Sequence, residues 1–390
     1  MTFDFDEVIE RRGTHSSKLE GMIARNGADD PELIAMTVAD MDFRAPPPVN
    51  EAIRKAADHG VHGYFGGKEF MQDAVIRWMS SRHGWTPEPG WIASCQGLVS
   101  AVGLCIQAFT EADDEIIVFS PVYHMFGETV RANGRRLFES ELKLVQGRYE
   151  MDLEALARDL PSNARMVLLC SPHNPGGRVW SAEELRALGR FCGDHDLILV
   201  SDEIHHDLVF PGSTHHVTAK AAPEAADLLV TLVAPSKTFN IAGGQLGFSI
   251  ISNPDLRKRL AEAGSAAGLG NANRIGALMA VAAYDQGLPW LEALLPYLAD
   301  NRDLLHRTLA ERIPGVRPMA LESTYLSWVD FSALGLSGAE LSRRALEQGK
   351  VAVHDGAMFG KGGEGWLRLN FAMPRPVLER ATEGLCQAFA

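Results

Sequence analysis

The sequence lacks a paired set of cysteines. It has five among 390 residues, at positions 95, 105, 170, 192 and 386. An odd number with neither paired nor chelating spacing excludes a disulfide-stapled scaffold and is typical of a reducing compartment.

Long apolar runs and an excess of positive charge are also missing. No apolar stretch approaches the roughly twenty residues that cross a bilayer. The 37 basic and 50 acidic residues give a net charge of −13, which argues against nucleic acid and anionic membrane surfaces as partners. The acidic N-terminal segment shows no signal-peptide pattern, so we expect a cytoplasmic protein.

What the sequence does contain is a set of four short apolar runs, each followed by a polar residue. The runs cover residues 115–119, 166–170, 197–200 and 228–234. Two-sided apolar runs separated by helical patterns predict an α/β fold with a largely parallel sheet covered on both faces. Ligands of such sheets bind beyond the carboxyl ends of the strands. We therefore expect the residues that follow the runs to share one pocket: Tyr123, Asn174, Asp202 and Lys237.

Lys237 indicates the chemistry of that pocket. A lysine at the end of a buried strand loses hydration, which lowers its pKa and makes the neutral amine a nucleophile toward aldehydes. Pyridoxal 5'-phosphate (PLP) offers such an aldehyde, and a carboxylate such as Asp202 would keep its pyridine nitrogen protonated. Asn174 can donate to the ring hydroxylate, and Tyr123 can stack on the ring. Ser236 and residues 94–100, which open an apolar helix expected over residues 101–109, can hold the phosphate.

Several ordered motifs resemble those of the fold-type-I PLP enzymes of the class I/II aminotransferase superfamily. Within it, the chain is similar to the MalY/PatB branch of cystathionine β-lyases (C–S lyases). The motifs cover residues 39–43, 171–177, 201–205, 236–240 and 368–370. This resemblance implies a large domain with a mostly parallel seven-stranded sheet between helices, together with a smaller α+β domain.

The resemblance also implies residue roles. Lys237 would bind the cofactor and move the proton at the substrate Cα, with Asp202 and Tyr123 beside it. The cofactor would contact Gly97, Leu98, Val99, Tyr123, Asn174, Asp202, His205, Ser236 and Lys237. Tyr64 would reach the phosphate of a neighbouring subunit, which implies a homodimer. Arg368 would clamp the α-carboxylate of a small amino-acid substrate.

The chain pattern divides into three segments. Residues 1–45 are expected to form an N-terminal arm and part of the small domain. Residues 46–285 would form the large PLP-binding domain, and residues 286–390 the small C-terminal domain. We predict no metal site at His205-His206 or His215-His216, because adjacent residues of an extended chain point to opposite faces.

Two departures from the family pattern bear on the reaction. Gln245 lies where many aminotransferases carry a phosphate-binding arginine, and the lyase branch generally lacks that arginine too. Gly176 replaces a common threonine. The expected activity is α,β-elimination from L-cystathionine or a related cysteine S-conjugate, giving a thiol, pyruvate and ammonia. An aminotransferase is the first alternative, a racemase or biosynthetic PLP enzyme another, and a non-catalytic regulator on this fold the last.

Overall fold

The computed structural model describes residues 3–26 and 30–390. Within them, a seven-stranded sheet forms the centre of the fold. Its strands in spatial order are Ile92–Cys95, Gly247–Ile250, Leu229–Val233, Ile198–Asp202, Ala164–Cys170, Glu115–Ser120 and Arg136–Glu141. Only Gly247–Ile250 runs antiparallel to its neighbours, so the sheet is mostly parallel.

Both faces of this sheet are buried. Ile116 and Val118 pack into the apolar cluster on one face, while Ile117 and Phe119 pack into the cluster on the other. Alternate residues of a strand point to opposite faces, so a run that is apolar throughout can fill two cores at once. Each such side chain contributes about 1.5–3 kcal/mol when it is fully buried. This explains why the runs carry no alternation of polar residues.

Helices connect the strands of the chain, and several of them pack against the sheets. Their bounds are Leu19–Asn26, Pro47–His59, Lys68–His83, Leu98–Phe109, Met125–Ala132, Leu153–Asp159, Ala182–Asp194, Thr218–Ala221, Pro254–Ala266, Arg274–Gln286, Leu288–Arg312, Gly338–Glu347 and Arg375–Phe389. The helix Ala182–Asp194 begins with a capping box in which Ser181 and Glu184 satisfy each other's free backbone N–H groups. Among the described residues, none of these helices is both long and apolar enough to span a bilayer.

A smaller antiparallel sheet lies in the C-terminal part of the chain. Its strands in spatial order are Arg317–Pro318, Leu326–Asp330, Trp366–Asn370 and His354–Asp355. Two strand pairs complete the described strands: Ile34–Ala35 with Val351–Ala352, and Lys143–Val145 with Arg148–Glu150. Ile34–Ala35 thus pairs the N-terminal segment with a strand of the C-terminal part. The domain boundaries themselves stay a prediction.

Candidate active site

A cavity of about 230 Å³ lies at the carboxyl ends of the parallel strands. The sequence-predicted residues around it are Gly97, Leu98, Val99, Tyr123, Asn174, Asp202, His205, Ser236 and Lys237. They come from loops and strand ends that are far apart in the chain, and the parallel register of the strands brings them together. Arg368 contacts this set through Asn174.

Lys237 follows the strand Leu229–Val233 and reaches the edge of the cavity. Its Nζ donates a hydrogen bond to the carbonyl oxygen of Ala39 at 2.5 Å. Burial lowers the pKa of the Lys237 ammonium to about 8; the carboxylate of Asp40 opposes this shift, and the positive charge of Arg368 adds to it. Lys237 therefore offers a neutral, nucleophilic amine at mildly alkaline pH.

Asp202 ends the neighbouring strand, and only 6% of it is exposed. Its Oδ1 accepts a hydrogen bond from the backbone N–H of Ile204 at 3.1 Å. Burial raises the pKa of the Asp202 carboxyl to about 7 despite that bond and the positive charge of Lys237. A cationic ligand group would stabilise the ionised carboxylate, so the site suits a protonated nitrogen.

His205 and Asn174 present polar atoms to the same cavity. His205 is 2% exposed, and its Nδ1 has no hydrogen-bond partner among the described groups. Burial, together with the positive charges of Lys237 and Arg368, holds the pKa of His205 well below its usual range, so the ring is neutral. The Oδ1 of Asn174 accepts a hydrogen bond from Arg368 at 3.0 Å. A buried nitrogen without a partner is what a ligand oxygen or hydroxyl would satisfy.

The opposite end of the cavity is the N-terminus of the helix Leu98–Phe109. Gly97 precedes it with φ +82°, a left-handed conformation that favours glycine. The first N–H groups of any helix have no partner within the helix, and no side chain of the described chain caps these. Ser236 lines the cavity as well. Free N–H groups at a helix N-terminus can bind an anion such as phosphate.

Arg368 is a buried cation without a carboxylate partner in the part of the chain that the structure describes. It is 2% exposed, and burial lowers its pKa to about 10. Its guanidinium donates to Asn174, Thr37 and His354, and it lies over the Phe359 ring at 4.8 Å. A buried charge that lacks a counter-ion calls for an anionic ligand.

Comparison with known proteins accounts for this arrangement. The family described as aminotransferase class I and II matches residues 31–385. The chain belongs to that family. It is 42% identical to cystathionine beta-lyase PatB of Bacillus subtilis (strain 168) over 368 residues, which is 94% of this chain and 95% of that protein.

Two solved structures are similar to this chain over nearly its whole length. The structure of cystalysin from Treponema denticola, which contains a pyridoxal 5'-phosphate cofactor, has a TM-score of 0.96 and 34% identity, covering 100% of this chain and 99% of that one. A PLP-bound C-S lyase from Staphylococcus hominis has a TM-score of 0.92 and 31% identity over the same shares. The predicted membership, fold-type-I architecture and branch are confirmed.

Of the predicted site residues, Arg368 contacts the cavity lining through Asn174, whereas Tyr64 does not border the cavity. The side chain of Tyr64 is 95% exposed, and Val61 nearby is 65% exposed. The structure therefore leaves Tyr64 available to a neighbouring subunit, and its role stays a prediction.

The sequence reasoning missed several lining residues. Ala39, Gln96, Cys170, Ile204 and Gln245 also border the cavity. Most of them are neighbours of predicted residues, and a loop that wraps a ligand exposes more positions than a motif reveals. A second omission is an ion cluster beneath Ala39. There Arg11 and Lys18 pair with the carboxylates of Asp40 and Asp42.

A buried polar network also supports the segment that follows Asp202. Asp207 accepts hydrogen bonds from Trp78 and from Thr238, the residue after Lys237. His83 and His206 lie beside the same carboxylate, so that possible metal ligands approach within 4.8 Å. Hydrogen bonds engage both carboxylate oxygens of Asp207, and these bonds are enough to connect the ends of the strands. The absence of a metal stays a prediction.

Proposed function

We propose that this chain is a PLP-dependent C–S β-lyase that acts on L-cystathionine or a related cysteine S-conjugate. The products would be a thiol, pyruvate and ammonia. The observation that carries the proposal is the convergence of a pKa-lowered lysine, a buried carboxylate and an uncapped helix N-terminus on one cavity. The lyase names of its relatives select elimination among the reactions this arrangement permits.

The residues around the cavity fit PLP. Lys237 would bind its aldehyde, Asp202 its pyridine nitrogen, and His205 and Asn174 the side of the ring hydroxyl. The N–H groups at Gly97, Leu98 and Val99 and the hydroxyl of Ser236 would hold the phosphate. The neutral ring of His205 and its Nδ1 without a partner support this assignment. Tyr123, whose pKa burial raises, would flank the ring as a neutral phenol.

When bound, PLP withdraws electrons from the substrate Cα. The side chains of this protein supply the rest. Arg368 binds the substrate carboxylate, which fixes the amino acid next to Lys237. Once the substrate amino group has replaced Lys237 at the cofactor aldehyde, the freed neutral amine of Lys237 would remove the Cα proton as a general base. The sulfur substituent would leave the β-carbon with the bonding electron pair and take up a proton to give the thiol. Water would then convert the remaining three-carbon fragment into pyruvate and ammonia.

The alternative, transamination, would use the same side chains and differs in where the proton is returned. Gln245 borders the cavity at the position where many aminotransferases have an arginine. No arginine borders the cavity in the described chain, so the phosphate would depend on neutral donors. This favours the lyase branch, whose members generally share that absence.

The deciding experiment is incubation of the PLP-loaded protein with L-cystathionine and no added 2-oxo acid. We expect continuous release of pyruvate, ammonia and free thiol in equal amounts over many turnovers. A parallel reaction contains L-alanine, which has no leaving group, and should release none of them. Amino transfer to an added 2-oxo acid without pyruvate release would overturn the lyase proposal in favour of the aminotransferase.

The uptake of PLP by the cofactor-free protein is expected to accelerate as the pH rises. Only the neutral amine of Lys237 adds to an aldehyde, and the pKa of this group is about 8. Below pH 8 the ammonium predominates, so the rate should fall about tenfold per pH unit and level off about one unit above the pKa. Stopped-flow absorption between about pH 6.5 and 9.5 measures this. A flat profile would contradict the assignment.

We also propose a cytoplasmic homodimer. The exposure of Tyr64 and Val61 supports a subunit interface at this segment of the chain. The cysteines are free thiols, which is typical of a reducing compartment. Light scattering should give a mass of about twice 42.5 kDa, and a monomer with full activity would count against the interface role of Tyr64.

A further inference from the structure

We propose that His354 is a positioning residue that sets the orientation and preserves the charge of Arg368 for the substrate carboxylate. This inference rests on the proposed function only in assigning that carboxylate to Arg368. His354 belongs to none of the motifs that carry the family resemblance. It lies on a strand of two residues, His354–Asp355, in the smaller sheet.

The contact is fixed by strand register. His354 lies opposite Arg368 in the antiparallel pair formed by His354–Asp355 and Trp366–Asn370. Its Nδ1 is 2.8 Å from Nη2 of Arg368, and its side chain is buried. The nitrogen must accept here, because a guanidinium has donors only. The ring of Phe359 packs near both the imidazole and the guanidinium, which limits their motion.

A count of donors shows what this contact achieves. The two hydrogens of Nη2 are used by His354 and by the carbonyl oxygen of Thr37, and one hydrogen of Nη1 is used by Asn174. The Nε hydrogen has no partner among the described groups. One Nη1 hydrogen and the Nε hydrogen thus have no protein acceptor among the described groups, and they lie on different edges of the guanidinium. Without His354, Nη2 would have one acceptor fewer, and the planar guanidinium could turn away from that arrangement.

The identity of the acceptor matters as much as its position. All three protein acceptors of Arg368 are neutral: a carbonyl, an amide and an imidazole. A carboxylate in the place of His354 would form an ion pair with the guanidinium and compete with the substrate. A neutral imidazole orients the group while leaving its full charge for the ligand. This is the physical reason for a histidine at this position.

The test compares three substitutions of His354 in the PLP-loaded enzyme. His354→Ala should raise the KM for L-cystathionine about tenfold and change kcat less than about threefold, because one hydrogen bond to a charged group is lost. His354→Asn places an amide oxygen near the position of Nδ1 and should restore most of the KM. His354→Asp should raise the KM further than alanine does. Urea unfolding and the visible absorption of the bound cofactor identify any variant that is misfolded.

A second measurement does not depend on the reaction. Calorimetry of propionate, a carboxylate without an amino group, should show the same order of affinities: wild type, Asn, Ala and Asp. If the four proteins bind propionate in this order but the wild type releases no thiol from L-cystathionine, the lyase proposal fails and the role of His354 stands. Equal propionate affinity and equal KM in wild type and alanine variant would overturn the role. So would an aspartate variant that binds propionate as well as the wild type.

Discussion

Replacement of Lys237 by alanine is expected to abolish thiol release and to remove the visible absorption of the bound cofactor. Lys237 is the cation that borders the cavity in the described chain, and its amine would both bind PLP and move the Cα proton. Proton transfer by a positioned base contributes about 10² to 10⁴-fold, so a loss of at least about 10³-fold is expected. Steady-state kinetics and absorption spectra measure the two effects.

The fold should survive this substitution. Nζ of Lys237 makes a hydrogen bond to the carbonyl of Ala39, while burial penalises its charge, as the lowered pKa shows. Loss of the bond and relief of that penalty offset each other, so unfolding in urea should change little. Lys258→Ala removes a lysine whose side chain is 74% exposed and serves as the matched control. Partial rescue of the activity of Lys237→Ala by added methylamine would show that the substitution removes the base that transfers the proton.

The sequence predicted this part of the site because of how parallel strands fold. Apolar runs that fill both faces of a sheet must be central strands, and a polar residue at the end of each must lie on one edge. That reasoning located Asp202 and Lys237 without reference to any relative. It could not locate the strand Gly247–Ile250, since four residues with a glycine give no periodic signal. Its antiparallel direction depends on the path of the chain, not on composition.

Contacts fixed by tertiary structure were beyond the same reasoning. His354 lies on a strand of two residues, too short for any pattern, and it meets Arg368 only through register. Arg11 and Lys18 reach Asp40 and Asp42 from a segment without regular spacing, where the residues themselves suggest only a turn. The predicted role of Tyr64 depends on a second chain, so contacts within one chain do not test it. The chemistry was thus easier to infer than the supports that hold it.

Replacement of Asp202 by asparagine is expected to reduce kcat at least about 100-fold and to change KM little. The amide has nearly the shape of the carboxylate and can still accept the N–H of Ile204. The amide carries no negative charge, so it cannot stabilise a protonated pyridine nitrogen. Loss of one such electrostatic interaction in a buried site lowers kcat by about 100-fold or more. Arg368, which is proposed to bind the substrate carboxylate, is unchanged, so affinity for substrate should persist.

The raised pKa of Asp202 separates this effect from a loss of stability. Burial favours the neutral acid of Asp202, with a pKa of about 7, so in the cofactor-free protein a neutral amide removes a cost of folding at pH 8 and should not lower resistance to urea. Asp300→Asn changes an exposed carboxylate to an amide and controls for the loss of one negative charge. A variant at Asp202 that is stable, binds PLP and keeps wild-type kcat would mean that ring protonation comes from elsewhere. In that case the buried carboxylate would only shape the cavity.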